Sequence, residues 1–192
     1  MLTWDEKSNI QKIITVFEID IKNALDNALE YKYLKEFICE EIENCNKAPI
    51  FISQSLHALR YSLIMRVARL IDESKDSYGF IRLLNKLEMS EYSNVLNAEI
   101  KKIKCDYEIY RNVIEQIKML RDKAAAHNDK SFYRSNDNIS DEVLIEHEIL
   151  NEIESLIRWL LKSIFIIETA YGDEIIPYVE LKNDIKKLFE NI

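Results

Sequence analysis

Apolar residues recur along this chain at intervals of three and four, the spacing that lines one face of an α-helix. Ile10, Ile13, Ile14, Phe17 and Ile21 keep that period, and "TWDE" stands just ahead of them. Thr3 is placed to cap and Glu6 to cap back, so a first helix is expected to begin at Thr3. The pattern continues through "ALEYKYLKEFICEEIEN", with a bend expected near Asn23–Asn27. "NCNKAP" breaks it, and Pro49 suits a first helical turn. The next helix is predicted over about 50–73, with Leu56, Leu59, Leu63, Val67 and Leu70 on one face. "DESKDSYG" ends it. A short helix follows, its buried side Phe80, Leu83, Leu84 and Leu87. A long helix is expected from near Glu91 to about Ala126, with Val95, Ile103, Ile109, Val113, Ile117 and Leu120 spaced for burial. "NDKSFYRSNDNISD" then reads as a loop of unusual length for a compact domain. The helix predicted over about 145–170 is the most apolar, with Ile149, Ile153, Leu156, Ile157, Leu160, Leu161, Ile164 and Ile167. A last amphipathic helix is expected to end at Ile192.

Composition agrees with this pattern. Gly 2 and Pro 2 in 192 residues leave few helix breakers and few turns of the kind strands need. The expected fold is an all-α bundle of about six helices, a single domain over 1–192. The net charge of −8 argues against a sequence-independent nucleic-acid coat or an anionic membrane surface as the main partner. The charge is uneven. Between Glu99 and Arg134, nine Lys/Arg face six Asp/Glu, a local excess of +3 in an acidic chain. Cys39, Cys45 and Cys105 form no C-x-x-C and suit reduced thiols better than a disulfide framework or zinc. No metal site and no cofactor are expected. "MLTWDEKSN" has no signal-peptide character, and "LIRWLLKSIFII" is interrupted by Arg158 and Lys162. A cytoplasmic protein without a membrane partner is expected.

The stretch that carries chemistry is "LRDKAAAHNDK". Arg121 offers a fixed charge with a planar fork suited to phosphate oxygens. His127 offers the side chain that takes and gives a proton near neutral pH. Together they suffice for metal-free RNA cleavage: imidazole assists attack of the ribose 2′-OH, and guanidinium stabilises charge on the phosphoryl oxygens. The spacing alone is weak, since roughly 0.4 such matches arise by chance in a chain of this composition.

Its context adds more. "LRDKAAAHNDK" at a helix end before a polar loop resembles the signature of the HEPN superfamily, an Arg followed by a polar residue and then by a His. Upstream, "LIMRVARLIDESKDSYGFIRLLNKL" is similar to the abortive-infection, AbiU-like group, in which an Arg-Leu-x-Asp helix end precedes a short Leu-rich helix. The resemblance implies a helical bundle, commonly dimeric. In many members it implies endoribonuclease activity in toxin or anti-phage systems, where an antitoxin or defence-system partner is possible. Carried onto this sequence, it makes Arg121 and His127 the catalytic pair, with Asp122 and Asn128 supporting. Lys118, Lys123 and Lys130 add positive potential for RNA. Members silenced by a nucleotidyltransferase carry Tyr two residues after the His; Asp129 stands there instead, so that modification is not expected.

Six residues on one straight helix leave the two side chains about 120° apart around the axis and about 9 Å apart along it. Either the helix ends before His127 or a second protomer completes the site. Ala124, Ala125 and Ala126 suit close helix approach, and equally suit a helix for its own sake. His57 reads as a packed or surface histidine, His147 as a solvated one, and Arg69 with Asp72 as a surface or half-buried i,i+3 ion pair. Phe132 and Tyr133 read as core or loop anchors that could also stack on a base. The competing function is a non-catalytic helical interaction or regulatory module of a defence system, contacting its partner through the 128–141 loop.

Overall fold

The computed structural model describes residues 4–74, 77–89, 93–127, 145 and 147–171, and of residues 4–10, 93–95, 124–127 and 170–171 it describes the backbone alone. These residues form α1 (Trp4–Glu40), α2 (Ile42–Cys45), α3 (Pro49–Leu70), α4 (Phe80–Met89), α5 (Ser93–Tyr107), one 3-10 turn (Glu108–Tyr110), α6 (Arg111–His127) and α7 (His147–Tyr171). Among the described residues there is no strand, and the fold is the all-α helical bundle expected. Thr3, the 128–141 loop and the expected C-terminal helix lie outside the described residues.

The 37-residue α1 is the spine, packing on α3 and α7 and also touching α4. It buries Ile14, Phe17, Ile21, Leu25, Ala28 and Tyr31 along one side. The expected bend at Asn23–Asn27 does not interrupt it. Asn27 sends its amide across to the hydroxyl of Ser62 on α3, so the asparagine joins two helices instead of breaking one. α3 runs antiparallel to α1, since Asn27 meets Ser62 and Asp20 meets Arg69. Leu63, Val67 and Leu70 are buried as predicted, with Leu56 and Leu59 half-buried. α4 buries all four predicted residues, Phe80, Leu83, Leu84 and Leu87.

The long helix expected from Glu91 to Ala126 is two helices joined by the 3-10 turn. Side chains three apart eclipse in such a turn. Tyr107 and Tyr110 therefore face the same way, and both meet Trp159 of α7, at 6.0 and 5.3 Å between ring centroids. Phe80 adds a T-shaped contact to Trp159 at 5.7 Å and reaches Phe17 at 6.5 Å. Ile109, expected inside, is pushed to the outer side of the turn and is 77% exposed. Two rings that pack in tilted contact with Trp159 and bury large areas outcompete one isoleucine for the inward position.

Tyr107 carries a cost. It is 1% exposed, and its hydroxyl has no hydrogen-bond partner among the described residues. Burial, and then the charge of Glu73, push its ionisation well above the ordinary tyrosine range. A buried hydroxyl left unpaired costs about 1–3 kcal/mol. Tyr107→Phe removes the hydroxyl and keeps the ring stack, so it should stabilise the fold by about 1 kcal/mol. In a domain of this size the melting temperature should rise by about 2–4 °C. A lower melting temperature would show that the hydroxyl is satisfied in solution.

The loop after α3 corrects another expectation. Arg69 does not pair with Asp72. Its Nη2 donates to Asp20 Oδ1 of α1 at 2.6 Å. Asp72 instead folds onto the following turn, accepting from the Ser74 backbone N–H at 2.9 Å and from the Ser74 hydroxyl at 3.1 Å. Gly79 closes the loop against the Asp72 carbonyl. A Cβ at that position would stand 1.7 Å from the carbonyl oxygen, which only glycine avoids.

Candidate active site

α6 begins beside the C-terminal end of α3, where Arg111 Nη1 lies 3.4 Å from Glu73 Oε1. It packs back along α3, and Val113, Ile114 and Ile117 form its buried face. Its C-terminal end therefore lies toward the other end of the bundle. There α1 holds the chain entering α7: Lys35 Nζ donates to the Ile145 carbonyl at 2.8 Å, and the Ile145 N–H donates to the Tyr31 hydroxyl at 3.2 Å. The C-terminal end of α6 and Ile145 therefore lie at the same end of the bundle.

α6 continues through His127. This removes one of the two geometries open to the sequence, a helix ending before the histidine. Arg121 and His127 occupy one helix, about 120° apart around its axis and about 9 Å apart along it. Arg121 borders the buried stripe and keeps 35% of its side chain exposed. Its Nε and Nη2 both donate to Asp122 Oδ1, at 2.9 and 2.8 Å. The neighbouring carboxylate thereby fixes the plane of the fork. An exposed pair of this kind is worth about 0–1 kcal/mol, so an incoming phosphate can take the donors over.

The other expected residues are distributed unevenly. Lys118 donates to Glu115 Oε1 at 3.0 Å, so its charge is locally matched. Lys123 is exposed on α6. The His127 side chain, Asn128, Lys130, Phe132 and Tyr133 lie outside the described residues. Of the wider basic segment, Lys104 pairs with Glu88, and Arg111 pairs with Glu108 and Glu73. Glu88 and Glu73 lie outside that segment and match two of its cations, while Lys101, Lys102 and Lys123 are exposed.

His57 is half-buried in α3, and burial together with the charge of Arg60 lowers its ionisation, as suits a packed, neutral histidine. His147 is exposed at the start of α7. Among the described residues no group of three or more His, Cys, Asp or Glu could hold a metal ion. Cys39 and Cys105 are exposed and Cys45 is buried, all as free thiols. No helix among the described residues is long and apolar enough to cross a membrane.

Against this geometry, comparison with known families is decisive for ancestry. The chain matches AbiU2, a family of HEPN domains, over residues 14–187. It belongs to that family. The AbiU2 match takes in α3, the Asp72–Gly79 loop, α4 and the whole of α6, so both Arg121 and His127 lie inside it. Curated proteins and solved structures gave no match.

What sequence reasoning missed was structural support for this AbiU2 helix. Asp20, which receives Arg69, lies 49 residues away in sequence, and no local pattern announces that pairing. The Tyr107–Tyr110–Trp159 stack had a weak signal, two tyrosines three apart beside an otherwise aliphatic stripe.

Proposed function

We propose that this AbiU2 member is a metal-independent endoribonuclease of a toxin or abortive-infection system, acting as a homodimer in the cytoplasm. The observation that carries the reading is the unbroken course of α6 through His127, which puts an arginine and a histidine on one helix at one end of the bundle. His127 takes the proton from a ribose 2′-OH. The freed oxygen attacks the adjacent phosphorus, the bond to the 5′-oxygen breaks, and that oxygen takes a proton from water, leaving a 2′,3′-cyclic phosphate and a 5′-hydroxyl. Arg121 leaves Asp122 and grips the phosphoryl oxygens as charge builds on them. DNA has no 2′-OH and is not a substrate. Asp122 and Asn128 orient the pair, and Lys123 and Lys130 draw in the backbone.

The 120° offset prevents one helix from aiming both side chains at one phosphate. A second copy of α6 across a two-fold axis supplies the missing partner, with Ala124–Ala126 at the closest approach. Light scattering at tens of micromolar should give a dimer, and Ala125→Trp should weaken it. A monomer, or a dimer indifferent to the tryptophan, would remove the composite site.

Purified protein should cleave RNA in the presence of EDTA and leave 2′,3′-cyclic phosphate and 5′-hydroxyl ends. Products with 5′-phosphate ends, or activity that EDTA abolishes, would point to metal-dependent hydrolysis instead.

One observation favours a second reading, a non-catalytic interaction or regulatory module of the same kind of system. Three of the four Lys and Arg side chains of α6 are matched by nearby carboxylates: Arg121 by Asp122, Lys118 by Glu115 and Arg111 by Glu108. Under that reading no RNA cleavage is found, and a partner protein docks on the 128–141 segment. The same cleavage assay separates the two.

A further inference from the structure

The first half of α3 is exposed without being charged. From Pro49 to Leu59 it carries no Asp, Glu, Lys or Arg, in a chain that is 31% charged. Between Leu34 and Leu63 only Cys45 is buried, so this half of the helix lies on the outside of the bundle. Ile50, Gln54, Ala58 and Tyr61 are exposed at intervals of four, four and three, one row along a helix, and Phe51 is exposed beside them. Ile50 is 73% exposed and Phe51 63%. The exposed rows of α1, α4, α5, α6 and α7 all include charged residues, Lys12, Lys86, Lys101, Asp122 and Arg158 among them. Charge depletion together with aromatic side chains and methionine is the composition of an interface core. α6 starts beside the C-terminal end of α3 and packs back along it. Arg121 is ten residues into α6, about 15 Å, and Tyr61 is nine residues back from the end of α3, about 14 Å, so the two stand level. The row on α3 and the exposed Met119 on α6 therefore border the end of the bundle that carries Arg121 and His127.

We propose that a second copy of this chain docks on that row, with α3 meeting α3 and α6 meeting α6 across a two-fold axis perpendicular to both helices. The contact belongs to the homodimer of the proposed function and rests on the dimeric part of that reading. Charge selects the occupant. RNA and an anionic membrane surface are held by cations, and the row has none. A protein partner drawn by charge would use the exposed carboxylates that flank the row, Glu36, Glu40 and Glu43, and not the row itself. A second copy has the opposite requirement. Each copy carries a net charge of −8, and like charges set face to face oppose association. Two copies pair best where neither presents a charge, and among the described helices the first half of α3 is the longest exposed stretch of that kind. Self-pairing of one patch is what a two-fold axis requires. The stretch Pro49–Tyr61 is shorter than the roughly 20–30 residues that each side of a stable interface uses, so the contact extends onto α6 through Met119. Gln54 and Ala58, at the middle of the row, fall at the axis, where an uncharged amide and a methyl group let two helices approach. The same axis sets the two α6 ends, and with them the Arg121 of each copy, opposite one another.

Sedimentation equilibrium of the full chain, with RNA cleavage measured on the same samples, tests this. Wild type should be dimeric at tens of micromolar, and Phe51→Glu should raise the dimer dissociation constant at least about tenfold. Gln54→Glu and Gln54→Lys should each weaken the dimer about tenfold or more, because each sets like charges together at the axis. Their equimolar mixture should recover dimers of wild-type strength, which proteins that had lost their fold could not do. Phe165→Glu is the control: its ring is exposed on α7, which α1 and α6 separate from α3, and the dimer should be unchanged. The proposal is overturned if wild type is a monomer at that concentration, if Phe51→Glu or either Gln54 variant dimerises as wild type does, if the mixture fails to pair, or if Phe165→Glu is equally disruptive. Cleavage is read separately. A dimer that Phe51→Glu breaks and Phe165→Glu spares, but that cuts no RNA, supports this contact and removes the nuclease. A nuclease whose dimer ignores Phe51→Glu keeps its chemistry and overturns this contact.

Discussion

His127→Ala should abolish RNA cleavage and toxicity while leaving the fold intact. Removing a positioned acid–base group costs on the order of 10² to 10⁴ in rate. Arg121→Ala should follow closely, because losing a group that stabilises developing oxyanion charge costs on the order of 10² to 10³. Arg121→Lys should also be poor, since an ammonium cannot grip two phosphate oxygens as a planar fork does. Stability should change little. Arg121 is partly exposed and, among the described residues, pairs with an exposed neighbour, Asp122. Truncating such a side chain shifts stability by less than about 1 kcal/mol. His147→Ala is the control and should keep full activity, because that residue is exposed at the start of α7. The interaction-module reading makes the opposite forecast: there is no cleavage to lose, and the substitutions affect partner binding. Cleavage rates and thermal melts on the same variants choose between them. Equal RNA degradation by wild type and His127→Ala would identify the activity as a contaminant.

The helices were legible wherever the apolar period was clean. The four predicted positions of α4 are all buried, and of the eight apolar positions named for the last described helix six are buried and two, Ile149 and Leu161, are half-buried. Legibility failed where a single residue's fate depended on a distant partner. Nothing near Ile109 says that it will yield its place to Tyr110, because the deciding ring is Trp159 on another helix. Nothing near Arg69 says that its carboxylate is Asp20 instead of Asp72, because an i,i+3 pair looks equally good on paper. The candidate pair shows the same division. Its chemistry could be read from two residue types in one stretch. Whether a helix carried both could not, because alanine runs are compatible with a helix that stops or continues; the unbroken course of α6 decided it. The basic excess around the motif was legible as a sum but not as a surface, since Glu88 and Glu73, from outside the segment, match two of its cations.

Phe80→Ala should be the most damaging single truncation in the core. The side chain is fully buried where α1, α4, α5 and α7 converge, within 6.5 Å of the rings of Phe17 and Tyr107 and 5.7 Å of Trp159. Removing a buried phenyl ring costs about 3–5 kcal/mol, part transfer energy and part cavity. The cavity part should be near its upper end here. The surrounding groups are themselves large rings in fixed edge-to-face or tilted contacts, and rigid rings cannot flow into the space as a methionine would. At about 2–4 °C per kcal/mol, the melting temperature should fall by about 6–20 °C. The near-ultraviolet signal of Trp159 should weaken even below the melt, because Phe80 is one of the rings that hold it. Phe80→Leu keeps most of the volume and should recover a large part of the loss. Met89→Ala, at the exposed end of the same helix, is 89% exposed before truncation and should stay within about 0.5 kcal/mol of wild type. A Phe80→Ala protein that melts within about 2 °C of wild type would mean that the aromatic cluster does not organise the junction of α5 with α6. The 3-10 turn would then need another cause.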